Sequence, residues 1–216
     1  MKKSIKRTLK PLVPKKLLLL RDKRLEANRN KQLLSEWKSN GCPAPPPHFV
    51  KQMTIKEFQR KSSYKILIET GTYFGDMIDA QKNNFKLIYS IELSVDLFNK
   101  AKQKFEKDKN IIILQGDSGK VLPYIIKKID EPVIFWLDGH YSEGITARGD
   151  KDCPIYEELD AILSKNKTEH IILIDDARCF IGAGDYPTID ELTSYVRSYN
   201  EKYQVDVKND IIRFII

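Results

Sequence analysis

Short apolar runs alternate with amphipathic stretches through most of this chain. The runs are rich in β-branched and aromatic residues, and they lie at 66–68, 87–92, 111–114, 132–137 and 170–174. Most of the segments between them carry apolar residues at helical spacing, as at 94–107, 154–163 and 188–199. Strand and helix patterns in alternation predict an α/β fold with a mostly parallel sheet that is covered by helices on both faces. Two last strand patterns, 203–207 and 211–216, predict a closing hairpin that adds an antiparallel strand.

The first 62 residues have a different character from the rest. They hold 17 Lys and Arg against 4 Asp and Glu, whereas residues 63–216 hold 20 against 26. A helix is predicted over 17–39, a proline-stiffened linker over 41–48, and a second helix from the capping-box pattern at Thr54 and Glu57 to about Lys61. We therefore divide the chain into a basic leader with a helix and a Pro-rich linker (1–62) and an acidic α/β domain, the candidate catalytic domain (63–216).

Composition excludes several classes of protein. The chain has 216 residues of which 41% are apolar, which is enough for one packed α/β domain. Its apolar runs are too short to span a bilayer, and the N-terminus lacks the pattern of a signal peptide. The scattered cysteines, Cys42, Cys153 and Cys179, contain no C-x-x-C pair, so neither a disulfide framework nor a zinc site is expected. These features predict a cytoplasmic protein.

The basic leader has two interpretations. It is either a solvated helix that packs on its own domain or on a partner, or a peripheral contact of residues 1–39 with the anionic inner face of a membrane. Because the domain itself is acidic, any attraction to anionic surfaces should come from the leader.

The most informative stretch is Glu69-Thr70-Gly71-Thr72-Tyr73-Phe74-Gly75, which directly follows the first strand pattern. An apolar strand, a tight glycine turn and a helix are how an α/β sheet builds a nucleotide cradle, because glycines let the backbone approach the ligand. The alternative is a plain turn, which the same pattern often forms, so the rest of the chain must decide between the two. The spacing is E-x-G-x-x-x-G and differs from the G-x-G-x-x-G of dinucleotide-binding proteins, so NAD is not expected.

Acidic residues follow each of the other parallel strand patterns. They are Glu92, Asp117, Asp138, Asp175 and Asp176. Single acids after strands are often helix caps, but ligands of open α/β sheets bind beyond the carboxyl ends of the strands, where these acids should meet. Glu92, at the end of the second strand, has the position of an acid that binds ribose hydroxyls.

These residues resemble the class I S-adenosylmethionine-dependent methyltransferases. The resemblance rests on the segment 69–75 together with Ile91-Glu92, Gly116-Asp117-Ser118 and Trp136-Leu137-Asp138-Gly139-His140-Tyr141-Ser142, and it extends from about residue 66 to residue 216. It is similar in particular to the small O-methyltransferases of the catechol and macrolide-sugar kind. The resemblance implies a Rossmann-like sheet of seven strands with the last one antiparallel.

The resemblance also implies roles for single residues. Gly71 and Gly75 would lie at the methionine end of S-adenosylmethionine, Glu92 at its ribose, and Asp117 with Ser118 at its adenine. Further cofactor contacts are expected from Glu69, Thr72, Tyr73 and Asp138.

A metal site is a second expectation at the same edge of the sheet. Asp138, Asp175 and Asp176 follow strands that should be neighbours, and three oxygen ligands suit Mg²⁺, Mn²⁺ or Ca²⁺. Metal-dependent members of the resembled family use two acids and an amide at corresponding strand ends. Asp176 stands here in place of the amide, and the alternative is that Asp175 or Asp176 caps the next helix.

The catalytic candidates are His140 and Asp138. A neutral imidazole two residues after Asp138 could accept the proton of an attacking hydroxyl. Metal-dependent relatives carry a lysine for this purpose, whereas position 141 here is tyrosine. His48 follows the prolines as a turn residue, and His170 opens a strand as a structural residue.

The predicted function is S-adenosylmethionine-dependent O-methylation of a hydroxyl, on a sugar or glycan precursor or another small molecule. The alternatives are a metal-dependent hydrolase that uses the Asp cluster and a non-catalytic nucleotide-binding module with a basic membrane arm. No specific nucleic-acid partner is expected, because Asp138-Gly139-His140-Tyr141 departs from the Asn/Asp-Pro-Pro-aromatic motif of base methyltransferases. The sequence is compatible with an oligomer and leaves the acceptor open.

Overall fold

A computed structural model describes residues 15–139, 152–164 and 168–216 of the chain. The helices are α1 (Lys15–Ser39), α2 (His48–Ser62), α3 (Asp76–Gln81), α4 (Val95–Lys104), α5 (Ser118–Ile126), α6 (Ile155–Leu163) and α7 (Ile189–Tyr199). The strands are β1 (Ile66–Thr70), β2 (Leu87–Glu92), β3 (Ile111–Gln115), β4 (Val133–Leu137), β5 (Ile171–Ile174), β6 (Ile181–Ala183), β7 (Tyr186–Thr188), β8 (Gln204–Lys208) and β9 (Ile211–Ile215).

Seven of the strands form one sheet in the order β3-β2-β1-β4-β5-β9-β8. Strands β1 to β5 pair in parallel, and β9 is antiparallel to both β5 and β8. The predicted fold, a mostly parallel seven-stranded sheet with an antiparallel last strand, is therefore confirmed. The strand order reverses between β1 and β4, which makes their carboxyl ends the place where this kind of sheet binds ligands.

The core lies on both faces of the sheet, as the near-continuous apolar strands require. Strand β4 divides its side chains between the two layers: Phe135 faces the layer formed with α5, α6 and α7, and Trp136 faces the layer formed with α2 and α3. Both rings are almost completely buried. Helices thus pack on both faces of the sheet, and this packing holds the strand ends in fixed positions relative to one another.

Helix α2 belongs with the sheet. Ile55 on this helix is fully buried among the residues of the second layer, and the side chain of Gln81 on α3 donates to the carbonyl of Gln52 at 2.8 Å. The chain accordingly divides into compact units at residues 1–43 and 44–216, whereas the boundary predicted from the sequence lies after residue 62. In the first unit, the Trp37 indole N–H donates to the carbonyl of Pro43 at 2.8 Å.

Two local features differ from the sequence analysis. Helix α2 begins at His48, so Thr54 lies inside it and donates to the carbonyl of Val50, and Thr54 with Glu57 does not form a capping box. An additional hairpin, β6 with β7, precedes α7.

Among the described residues, no helix combines the length and the apolar character needed to cross a membrane.

Candidate functional site

The turns after β1 and β4 meet at the point where the strand order reverses. Gly71 has φ +82°, and a Cβ atom placed on it would lie 2.2 Å from the backbone oxygen of Asp138. The Asp138 amide in turn donates to the carbonyl of Thr70 at 3.2 Å and to its hydroxyl at 3.1 Å. Glycine is required at position 71 both by the positive φ and by this close backbone approach. The contact fixes one wall of the crevice expected in this kind of sheet.

The rest of the glycine turn is held from the α4 side. Gly75 has φ +73°, and a Cβ there would lie 2.6 Å from a ring carbon of Phe105. The ammonium of Lys104 donates to the carbonyl of Phe74 at 2.7 Å. Tyr73 and Phe74 leave almost half of their surface exposed, with ring centroids 4.2 Å apart. The turn therefore has a fixed backbone and presents two aromatic side chains outward.

Glu92, the predicted ribose ligand, ties the turn to the end of β2. One carboxylate oxygen accepts from the Tyr73 amide at 2.8 Å and the other from the Ser94 amide at 2.9 Å. The residue is 5% exposed. A carboxylate has about four acceptor positions, so these two bonds orient Glu92 and leave acceptor capacity for hydroxyl groups.

Glu69 lies beneath the glycine turn. Its carboxyl accepts from the Ser90 hydroxyl at 2.6 Å, and Ser90 is also 2.6 Å from the hydroxyl of Thr72. Burial raises the pKa of Glu69 to about 8, the Ser90 hydrogen bond opposes this rise, and the charge of Glu92 adds to it. Only 2% of the surface of Glu69 is exposed, and its contact with Ser90 helps to hold Thr72 in place.

Asp117 and Ser118, the predicted adenine contacts, begin helix α5. Asp117 is its N-cap and accepts from the Gly119 amide at 3.0 Å. Ser118 is buried and faces the end of β4: a Cβ on Gly139 would lie 3.2 Å from the Ser118 hydroxyl and 3.0 Å from the Thr70 hydroxyl. The structure thus brings the ends of β1 and β4 and the start of α5 around one crevice.

The acids after β5 are bound by basic side chains. The ammonium of Lys51, on α2, lies 2.5 Å from a carboxylate oxygen of Asp175 and 3.1 Å from one of Asp176. Arg178 pairs with Asp176 at 2.7 Å and also with Asp210. Asp175 is almost completely buried, with 1% of its side chain exposed, and burial raises its pKa while Lys51 opposes the rise.

Lys51 is a permanent cation of this cluster. Burial alone lowers the pKa of its ammonium, but the charges of Asp175, Asp176 and Asp138 outweigh that effect and raise the pKa above its usual value. No group of three His, Cys, Asp or Glu side chains in the described part of the chain has the arrangement of a metal site. Two of the three predicted metal ligands Asp138, Asp175 and Asp176 are paired with the Lys51 ammonium, an arrangement that does not fit a divalent ion held by the same oxygens.

The predicted catalytic base, His140, lies outside the described residues, and so does the loop that follows it. His170 is structural, as expected: its Nδ1 accepts from the Val133 amide at 3.2 Å, and burial lowers its pKa to about 4. His48, predicted in a turn, is the first residue of α2. Lys51 and Ser90 were not predicted from the sequence, since neither belongs to a motif and both meet their partners only through the fold.

Comparisons with known proteins identify the fold of the chain. No protein-family model matches the chain. No curated protein matches it by sequence. Among solved structures, the O-methyltransferase TomG of Streptomyces achromogenes, in complex with S-adenosylmethionine, is 13% identical and gives a TM-score of 0.53 over 86% of this chain and 87% of its own.

Two further structures give similar values. A methyltransferase of Podospora anserina, bound to S-adenosylhomocysteine, is 16% identical with a TM-score of 0.53 over 96% of this chain and 99% of its own. An O-methyltransferase of Bacillus cereus, also with S-adenosylhomocysteine, is 14% identical with a TM-score of 0.51 over 87% of this chain and 90% of its own. The chain has the fold of class I S-adenosylmethionine-dependent methyltransferases.

Proposed function

We propose that this protein transfers a methyl group from S-adenosylmethionine to a hydroxyl oxygen of a small molecule. The observation that carries the proposal is the glycine turn after β1, which touches the backbone of Asp138 on one side and is tied to Glu92 on the other. A backbone this close to the strand ends, beside an oriented carboxylate, suits a ligand with a ribose and a charged amino-acid end.

Each of the predicted contacts has a role in this proposal. Gly71 and Gly75 let the turn lie against the methionine part of the donor, while Thr72 and Tyr73 line it. Glu92 accepts hydrogen bonds from the ribose hydroxyls with the lone pairs that its two backbone amides leave. Asp117 and Ser118 contact the adenine from the start of α5, and Glu69 supports the turn from below.

The chemical step requires alignment and one proton transfer. The acceptor oxygen forms a bond to the methyl carbon while the bond from that carbon to the sulfonium sulfur breaks, which leaves S-adenosylhomocysteine. The hydroxyl proton passes to a base, for which we propose His140, two residues after Asp138 in the sequence. Holding the two reactants in line supplies most of the acceleration in such a transfer.

We further propose a sugar or glycan precursor as acceptor and a contact of residues 1–39 with an anionic membrane surface. The support is the concentration of positive charge in residues 1–62, opposed to the acidic remainder. An enzyme held at the membrane in this way would be close to lipid-linked glycans. The hydrolase alternative loses support because Lys51 and Arg178 pair with the carboxylates it would need.

Calorimetric titration of S-adenosylhomocysteine into the full chain tests the proposal. We expect binding in the micromolar range. Glu92→Gln keeps the size of the side chain but replaces an acceptor oxygen by a donor, and it should weaken binding by about tenfold or more. Glu131→Gln makes the same chemical change at an exposed position before β4 and should leave the affinity unchanged.

Absence of binding to the folded wild-type protein would refute the donor assignment. If binding is found, formation of S-adenosylhomocysteine should then be measured with nucleotide sugars and with catechol as acceptors. Turnover of nucleotide sugars alone would support the glycan proposal, and turnover of catechol alone would contradict it.

A further inference from the structure

Helix α2 places a lysine at the carboxyl edge of the sheet. Lys51 lies one helical turn before the fully buried Ile55, so both side chains project from the same face of α2 toward the sheet. The helix is fastened there by Gln81, which is 1% exposed and donates to the carbonyl of Gln52. The position of Lys51 therefore follows from the packing of α2.

The receiving carboxylates come from the turn after β5. The Asp175 amide donates to the carbonyl of Leu137 at 3.0 Å, which sets this turn beside the end of β4. Asp176 has φ +55°, and its amide donates to the carboxylate of Asp175 at 2.8 Å. This local geometry directs both carboxylates to the Lys51 ammonium, whose side chain is only 13% exposed.

We infer that Lys51 takes the place of a divalent metal ion at the acceptor side of the crevice. The chain would carry its own cation there, supplied from helix α2, which precedes the methyltransferase-like sequence motifs of residues 66–216. A buried carboxylate pair needs compensating positive charge, and an ammonium within hydrogen-bond distance of both supplies it without a metal. The acceptor side is defined only through the proposed function, so this inference rests on that proposal.

Lys51→Met tests the inference, because it removes the charge and keeps an unbranched side chain of similar length. Binding of Mn²⁺ is followed by the loss of the electron paramagnetic resonance signal of the free ion, and folding is followed by thermal melting. Wild-type protein should not bind Mn²⁺ at this cluster. Lys51→Met should melt roughly 5 °C lower or more, because the carboxylates are left without a cation. It should also bind Mn²⁺ at least about tenfold more tightly than the wild type, and Mn²⁺ should restore part of the lost melting temperature.

Two more variants complete the design. Asp175→Asn combined with Lys51→Met should abolish the gain in Mn²⁺ binding and recover part of the melting temperature without metal. Lys51→Arg keeps the cation and should behave as the wild type toward Mn²⁺. If Lys51→Met does not fold by itself, Mn²⁺ should restore its folding, and failure of Mn²⁺ to do so would contradict the inference.

Two results would overturn the inference. One is wild-type protein that binds Mn²⁺ and loses that binding on Asp175→Asn. The other is folded Lys51→Met protein that shows no gain in Mn²⁺ binding. Titration of S-adenosylhomocysteine into the same samples separates this question from the proposed function, since donor binding can fail while the response to Mn²⁺ is as expected.

Discussion

Replacing Glu69 by glutamine should remove a pH-dependent loss of stability from this protein. In the folded chain, burial raises the pKa of the Glu69 carboxyl to about 8, against an ordinary value of 4.5. Between pH 4.5 and about pH 8, the Glu69 carboxyl is protonated in the folded protein and ionised in the unfolded chain. The free energy of unfolding therefore falls as the pH rises from 4.5 to about 8, and it levels off above.

The magnitude follows from the size of the pKa shift. Each pH unit inside the window changes the free energy of unfolding by about 1.4 kcal/mol, and the slope is smaller close to each pKa, so the loss between about pH 5 and about pH 8 is between about 3 and about 4 kcal/mol. Glutamine has nearly the shape of a protonated glutamic acid and cannot ionise. In Glu69→Gln protein, this contribution should be absent while the hydroxyl of Ser90 still finds an acceptor.

Urea unfolding of both proteins at several pH values between about 5 and 9 measures the effect. The quantity to compare is the difference in free energy of unfolding, Glu69→Gln minus wild type, because His170 and all other groups common to both proteins cancel in it. We expect the difference to increase with pH up to about 8 and to stay constant above. Glu57→Gln, on the exposed face of α2, is the matched control and should show no such increase.

A difference that is constant across this range would refute the reasoning. It would mean that Glu69 is ionised in the folded protein at neutral pH, and that the environment beneath the glycine turn is more polar than its 2% exposure indicates.

The other predictions concern positions where backbone geometry decides the outcome. Gly71→Ala places a Cβ 2.2 Å from the carbonyl oxygen of Asp138, at a residue with a positive φ. The melting temperature should therefore fall clearly, and calorimetry should show that S-adenosylhomocysteine binding is lost. Binding at wild-type affinity would contradict the role given to this contact. Thr188→Ala removes the N-cap of α7 and its capping box with Glu191, which should cost about 1 kcal/mol in urea unfolding and leave ligand affinity unchanged.

The sequence predicted the sheet and the residues of its edge because both depend on local pattern. Each parallel strand is a short apolar run with an acidic residue within two positions of its carboxyl end, and this pattern is visible in the sequence alone. The glycine turn was recognisable for the same reason, since Gly71 and Gly75 are required by the backbone itself. Glu92 followed from its position at the end of β2.

Identical local patterns can nevertheless have different outcomes. Thr54-x-x-Glu57 and Thr188-x-x-Glu191 are the same capping-box signature, and only the second begins a helix. The first is overridden because α2 starts six residues earlier, after Pro47, and carries Val50 and Ile55 into the core. Tertiary packing therefore determines where α2 starts.

Contacts between distant parts of the chain could not be predicted from local sequence patterns. Lys51 and Asp175 are separated by 124 positions, and nothing in the leader marks this lysine among its many basic residues. The hairpin of β6 and β7 was missed for another reason, since its strands have three residues each and β6 is exposed along its whole length. Such strands show no alternation that could be recognised.

The division of the chain at Pro43 has a practical consequence for recombinant work. A fragment that starts at residue 63, where the strand and helix pattern begins, would lack α2 and leave the second layer of the core uncovered around Trp136. An uncovered apolar sheet face of this kind promotes self-association during expression. A fragment that starts at Ala44 retains the helix, and with it the lysine that neutralises Asp175.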